Sequence, residues 1–205
     1  MAEYELYCFA QSGNSYRAAL MLNLVGADWK PVWVDFFKNF VQRTPAYRTE
    51  VNEMGEAPVL DHKGRKLTQS GVILTYLAKR TGMFAPQGED EELEALRWII
   101  FDNQKVNGFL GPYRFLRNFA KPAGDPGAMG FLKGRIDGNL AIVEKRLEKA
   151  PYLLGADPPS RTSRWSATSI TRRRSTASTS ARTTPRFPRG STASRRCRAG
   201  STRTT

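Results

Sequence analysis

Three short stretches carry the side chains that could do chemistry. Ser12, Asn14 and Ser15 stand in QSGNSYR, directly before a helical run, so hydroxyl and amide donors meet the positive end of a helix dipole. Such a front suits a small anion, and it is equally the way an ordinary helix is capped. Gln69 and Ser70 open QSGVILTYL in the same manner, at a helix start where a carboxylate is welcome. Between them Ala57-Pro58, in GEAPVL, puts a proline before a strand: a trans bond is the plain reading, a cis bond the purposeful one. Cys8 lies within a strand-like run and has no CxxC partner, so buried packing outweighs catalysis. His62, the sole histidine, falls in a polar turn and reads as solvated, which leaves neither a metal site nor a His-based triad.

The elements that must position these residues follow from periodicity. Glu3 to Phe9 alternates as a strand, Ser15 to Val25 repeats its apolar residues at helical spacing and stops at Gly26, and Trp29 to Phe36 reads as a second strand. This βαβ unit sets the Ser12 loop at the carboxyl end of its first strand. Val59 to Asp61 and Lys66 to Leu67 flank His62-Lys63-Gly64-Arg65 as a hairpin, and a helix follows, capped by Ser70 and stopped by Gly82. Strand, helix, strand, hairpin, helix is a thioredoxin-like order. After the linker Phe84 to Gly88 the pattern changes to helix alone: Glu89 to Phe119, bent or broken at Gly111-Pro112, then about Pro126 to Lys149.

Composition narrows the class further. Residues 1 to 157 hold 20 Lys+Arg and 19 Asp+Glu, so this part is electrically ordinary although the whole chain carries +13. The excess sits in residues 158 to 205, with 12 Arg, no Lys, no acid and 21 Ser+Thr. One reading of that segment is a basic arm for nucleic acid. The reading that explains more is GC-rich coding DNA translated out of frame: with one choice of codons for Pro158 to Arg172, restoring one lost G turns the stretch into PTIADLSMVGYLYYP, a capping box before an apolar run. Two cysteines, Cys8 and Cys197, are too few for a disulfide framework and suit a reducing compartment. The amino terminus lacks a signal-peptide pattern, and no run approaches the roughly 18 apolar residues of a membrane span, so a cytoplasmic protein is expected.

SGNSYR (Ser12 to Arg17), GEAPVL (Gly55 to Leu60), QSGVILTYL (Gln69 to Leu77) and PYLLG (Pro151 to Gly155) stand in an order and at spacings that resemble the cytosolic glutathione S-transferase family, of a serine-type, bacterial-like kind. The resemblance covers about three quarters of the chain. It departs from the common pattern in having Gly13 where many members have Pro. The family implies an α/β thioredoxin-like domain over 1–83, a partial all-α domain over 89–157, and a tail over 158–205 that is disordered or out of frame.

Glutathione is then the co-substrate, with no metal. Its thiol is expected to ionise near about 8.5, as a cysteine does, so the site must favour the thiolate. Ser12 stands where serine-type members keep their activating hydroxyl; Asn14 is a second donor and Ser15 a third candidate. The resemblance implies that Ala57, before a cis Pro58, pairs with the cysteinyl part of the tripeptide, and that Gln69 and Ser70 hold its γ-glutamyl end. Phe109 and Tyr113, with Phe115 behind them, are expected to line an apolar pocket for a small hydrophobic electrophile, although core packing explains them equally well. Asp102 and Asn103 are placed on the helix that lines the dimer cleft of the family, where one would reach the partner's glutathione. A cytoplasmic homodimer that conjugates electrophiles is the expectation, with no membrane and no nucleic acid as partners; a non-catalytic interaction module of the same fold is the alternative.

Overall fold

The computed structural model describes residues 2–154. The expectations for Gly155 and for the tail lie outside the described residues. Four strands form one mixed sheet in the order β2-β1-β3-β4. β1 (Tyr4–Cys8) pairs in parallel with β2 (Trp29–Trp33), then antiparallel with β3 (Val59–His62), which pairs antiparallel with β4 (Arg65–Thr68). The parallel pair requires a crossover, and α1 (Gly13–Leu24) supplies it. α1 and α3 (Ser70–Thr81) bury Ala18, Leu22, Ile73 and Leu77 with Leu6 and Leu60 of the sheet, all fully enclosed. This is the thioredoxin-like arrangement that the element order predicts.

Several local readings are corrected. β2 ends at Trp33 rather than Phe36, and beyond the sheet Phe36 stacks on Phe9 while Phe37 meets Phe9 edge-on. The stretch after them contains α2 (Pro45–Glu50), which the periodicity did not reveal because it is too short to repeat. Its boundary signal is nonetheless present: Thr44 accepts from the Tyr47 N–H as N-cap, and Pro45 takes the first turn, where a missing N–H costs nothing. Ser70 does not cap α3; it is the first helical residue, and Gln69 holds the cap position at φ 64°.

His62 is the clearest reversal. β3 runs one residue further than expected, so the turn consists of Lys63 and Gly64, both at positive φ, and His62 belongs to the sheet. It is buried, stacks on Tyr4 at 4.4 Å, and its two ring nitrogens meet the Tyr76 hydroxyl at 2.6 Å and a Glu3 carboxylate oxygen at 3.2 Å.

The remainder is helical, as the sequence predicts. α4 (Gly88–Phe101), a π-helical stretch (Asp102–Asn107) and α5 (Gly108–Asn118) form one run, and α6 (Pro126–Lys149) packs on it. Trp98, Val143 and Leu153 make the buried centre of that packing. The irregularity lies at 102–107, not at Gly111-Pro112; Pro112 stands inside α5 without ending it. Within the widened turn the Asn139 side-chain amide of α6 donates to the Lys105 carbonyl, a bond of the kind that competes with the regular ladder. Widening adds a residue to the turn and rotates α5 relative to α4 by about 100°.

Candidate functional site

At the carboxyl end of β1 the chain turns through Ala10 and Gln11 into Ser12, whose extended backbone (φ −82°, ψ 117°) makes it the N-cap of α1. The Ser12 Oγ accepts the Ser15 N–H at 3.0 Å, which leaves its own O–H free to donate. Accepting a bond polarises a hydroxyl and strengthens its donation, and the axis of α1 adds its positive end at the same point. Asn14, in the first turn, has a buried Oδ1 with no hydrogen-bond partner among the described residues. Ser15 is 2% exposed and its Oγ also lacks a partner, but it faces the core rather than the cleft.

A second segment faces this loop. The Ala57–Pro58 peptide is cis, and it delivers the chain into β3 with the Ala57 backbone turned to the same opening. What holds the segment is α2 and the loop after it. The Tyr47 hydroxyl and the Asn52 side-chain amide both donate to the Glu56 carbonyl, each at 3.0 Å, and both residues are buried. Burial, with a smaller contribution from Tyr7, pushes the Tyr47 phenol up to about 12, so it stays a donor throughout the working range. Gly55, at φ 67°, lies so close to this network that a Cβ would come within 2.8 Å of the Gln42 carbonyl.

Gln69 closes the third side. Its backbone (φ 64°, ψ 118°) lies outside the regions favoured by a side-chain-bearing residue, and its amide donates to Glu56 at 3.0 Å. Ser70 is buried behind it.

These residues line one cleft of about 380 Å³. Ser12, Asn14, Ala57 and Gln69 are in its wall; Pro58 and Ser70 stand directly behind it. Across from them the wall is helical: Asn107, Gly111, Arg114, Phe115 and Phe119. Phe37 stacks on Phe119 at 4.7 Å and faces Phe115 at 6.5 Å, while Phe9 and Phe36 stack at 4.2 Å, so four rings besides Phe115 give the cleft an apolar side.

Phe109 and Tyr113, expected on this wall, are not part of it. Phe109 turns to Phe131 and Arg135 of α6, and the Tyr113 hydroxyl accepts from Arg117. The reason is phase: each lies two residues, about 200° of helix, from Gly111, which does face the cleft. Asp102 is likewise redirected. Its carboxylate takes both guanidinium nitrogens of Arg17, joining α1 to the helical run, and it is buried in that pair. Cys8 is no part of the wall, and burial pushes its thiol up to about 11, which withholds it as a nucleophile. Among the described residues no three His, Cys, Asp or Glu side chains converge as metal ligands.

Residues 2–79 match the model of the glutathione S-transferase N-terminal domain. A solved structure of Rhodopseudomonas palustris, described as a possible glutathione S-transferase, is 31% identical and superposes with a TM-score of 0.68 over 74% of each chain. The chain belongs to the glutathione S-transferase family. Another transferase of this family, from Burkholderia graminis and solved with two glutathione molecules bound per subunit, is 27% identical with a TM-score of 0.68 over 79% of this chain and 69% of that one. Among curated proteins, a disulfide-bond oxidoreductase of Escherichia coli (strain K12) is 29% identical over 157 residues, 74% of this chain and 72% of that protein. The glutathione S-transferase family thus includes relatives of this chain with differing named activities. Of the residues that sequence reasoning missed, Phe37, Phe119 and Arg114, only Phe119 had a faint signal, in the recurrence of Asn107, Gly111, Phe115 and Phe119 every fourth position.

Proposed function

We propose that the protein binds glutathione in this cleft and transfers its thiolate to small, largely apolar electrophiles. The observation that carries the reading is the capped front of α1, where the Ser12 hydroxyl is free to donate into an opening shared with Ala57 and Gln69. Ser12 favours the charged sulfur, and Asn14 adds an amide beside it. Ala57 offers its backbone to the cysteinyl unit in a strand-like pairing, which Pro58 directs. Gln69 and Ser70, at the start of α3, receive the γ-glutamyl carboxylate, and Glu56 is suited to the ammonium beside it. Phe37, Phe115 and Phe119 supply the apolar face for the electrophile. Residues 1–83 act as the glutathione-binding domain and 89–157 as the helical one.

Family membership supports a cytoplasmic homodimer, and Leu93, Leu96 and Ile100 leave an exposed apolar stripe along α4 for a second copy. The reading is tested by retention on immobilised glutathione together with conjugation of a chloronitrobenzene. Retention without turnover, unaltered in Ser12→Ala, would favour the non-catalytic interaction module instead.

A second reading, glutathione-dependent disulfide reduction, is supported by the similarity to the Escherichia coli oxidoreductase. With Cys8 outside the cleft, both thiols of such a reaction come from glutathione. Reduction of a hydroxyethyl disulfide that exceeds conjugation and persists in Cys8→Ser would favour it.

A further inference from the structure

Among the described residues Arg114 is the one cation that lines the cleft, and its surroundings do not account for it. It projects from α5 across to the loop before α1, where Nη2 donates to the Gln11 carbonyl at 3.3 Å and Nη1 lies 3.6 Å from the point a Cβ on Gly13 would occupy. A guanidinium has five N–H donors in a planar fork, and among the described residues this one meets a single weak carbonyl and no carboxylate. Exposed basic residues nearby in the helical part find partners: Arg117 of α5 bonds Tyr113, and Lys133 of α6 pairs with Asp137. Arg114 is half-buried in a cleft it shares with five phenylalanines, a setting that makes an unmatched charge seek an anion more strongly than open water would.

The room for that anion is also present. Gly111, one turn earlier on the same face, has nothing within 4 Å of where a side chain would begin. Phe115 and Phe119 continue the face beyond it, with Phe37 stacked parallel to Phe119 at 14° between planes. A flat apolar group fits along these rings, with its charged substituent turned to Arg114. The other charged lining residue, Glu56, is engaged by Gln69, so the cleft has an acidic element on its α3 side and a basic one on its α5 side.

We propose that Arg114 is a specificity-determining residue and that the preferred co-substrate is a planar, apolar electrophile bearing a carboxylate or comparable anionic group. This deepens the transferase reading and rests on it. An Arg fork holds a carboxylate by two parallel charged hydrogen bonds, which fixes orientation as well as affinity.

The test compares chlorodinitrobenzoate with its uncharged amide, chlorodinitrobenzamide. In either case the thiolate sulfur forms a bond to the ring carbon bearing chlorine, and chloride leaves with the bonding electron pair. The full chain and its Arg114→Gln and Arg114→Lys variants are assayed for kcat/KM with both, and for calorimetric binding of both glutathione conjugates and of glutathione alone. Melting curves establish that each variant is folded. The expected result is a benzoate-to-amide preference that falls roughly tenfold or more in Arg114→Gln, in kcat/KM and in conjugate affinity alike, with partial recovery in Arg114→Lys. Equal preference in the parent and in Arg114→Gln overturns the proposal and leaves the transferase reading standing. A loss of affinity for free glutathione as large as that for the benzoate conjugate also overturns it, since Arg114 then serves the tripeptide's own carboxylate. Preferential binding of the benzoate conjugate without turnover of either electrophile supports the anion site while removing the transferase reading; binding of neither conjugate removes both.

Discussion

Ser12 caps α1 and, in the proposed function, also donates to the glutathione sulfur, and the combination predicts how its loss reads. A hydrogen bond to a charged group contributes about 1.5–3 kcal/mol, which is one to two pKa units on the bound thiol. Ser12→Ala is therefore expected to raise the thiol pKa of bound glutathione by that amount and to lower kcat/KM roughly tenfold to hundredfold. Ultraviolet thiolate absorbance against pH reads the first and steady-state kinetics the second. The same change removes the cap on α1, so the melting midpoint should also drop, by the equivalent of about 1 kcal/mol. Cys8 makes the contrasting case. Its thiol is held at about 11 against an ordinary value of 9.0, because burial penalises the thiolate. Between those values the unfolded chain has lost the proton and the folded chain keeps it, so stability present below pH 9 declines as pH rises toward 11. Urea midpoints across that window should fall less steeply in Cys8→Ser; identical slopes would contradict the assignment. The sequence revealed Ser12 and Cys8 as residue types in context. It did not reveal that Ser15 turns inward or that Arg114 reaches the loop, because a side chain's direction is decided by what packs around it.

Elements meet at two contacts that the site depends on. Arg17 of α1 and Asp102 join the thioredoxin-like part to the helical run, with side chains 17% and 9% exposed. Removing one partner of such a pair strands the other, and Asp102→Ala is expected to cost about 3 kcal/mol, near the low end for buried pairs because Arg17 keeps some water. A double-mutant cycle with Arg17→Ala, read from denaturant midpoints, should recover most of that as coupling. Gly71 is the second contact. A Cβ there would stand 2.7 Å from Cγ2 of Ile99, a branched side chain with little freedom to move, so Gly71→Ala is expected to destabilise by roughly 1–3 kcal/mol through overpacking between α3 and α4. Element existence was mostly legible: β1, α1, the hairpin and α6 follow from periodicity and caps. The phase of α5 was not. The π-helical stretch, where Asn139 of a different helix bonds the Lys105 carbonyl, changes the phase of α5 without a local sequence signal, and Phe109 and Tyr113, expected in the pocket from the family resemblance, lie off its wall.

The molecule as a whole presents this cleft only when both parts are folded, because its walls come from the segment after β1, the start of α1, the segments before β3 and α3, and α5 together. A ligand that binds only the folded chain stabilises it by mass action, about 2.7 kcal/mol at a hundred times its Kd. For a chain of this size that is a rise of roughly 5–10 °C in melting temperature, and a scan against glutathione concentration measures it. A midpoint indifferent to glutathione would contradict the binding site itself. At this scale the sequence by itself determined the order of elements, the two kinds of architecture, and the family, since periodicity, caps and motif spacing are local and survive without coordinates. The tertiary structure decided which residues share the cleft: it moved His62 into the sheet, turned Phe109 to α6, left Tyr113 bonded to Arg117, spent Asp102 on Arg17, and brought Arg114 to the loop of Ser12 across 103 positions of chain. Those outcomes depend on packing between distant segments and on helix phase, and neither is recorded in the spacing of neighbouring residues.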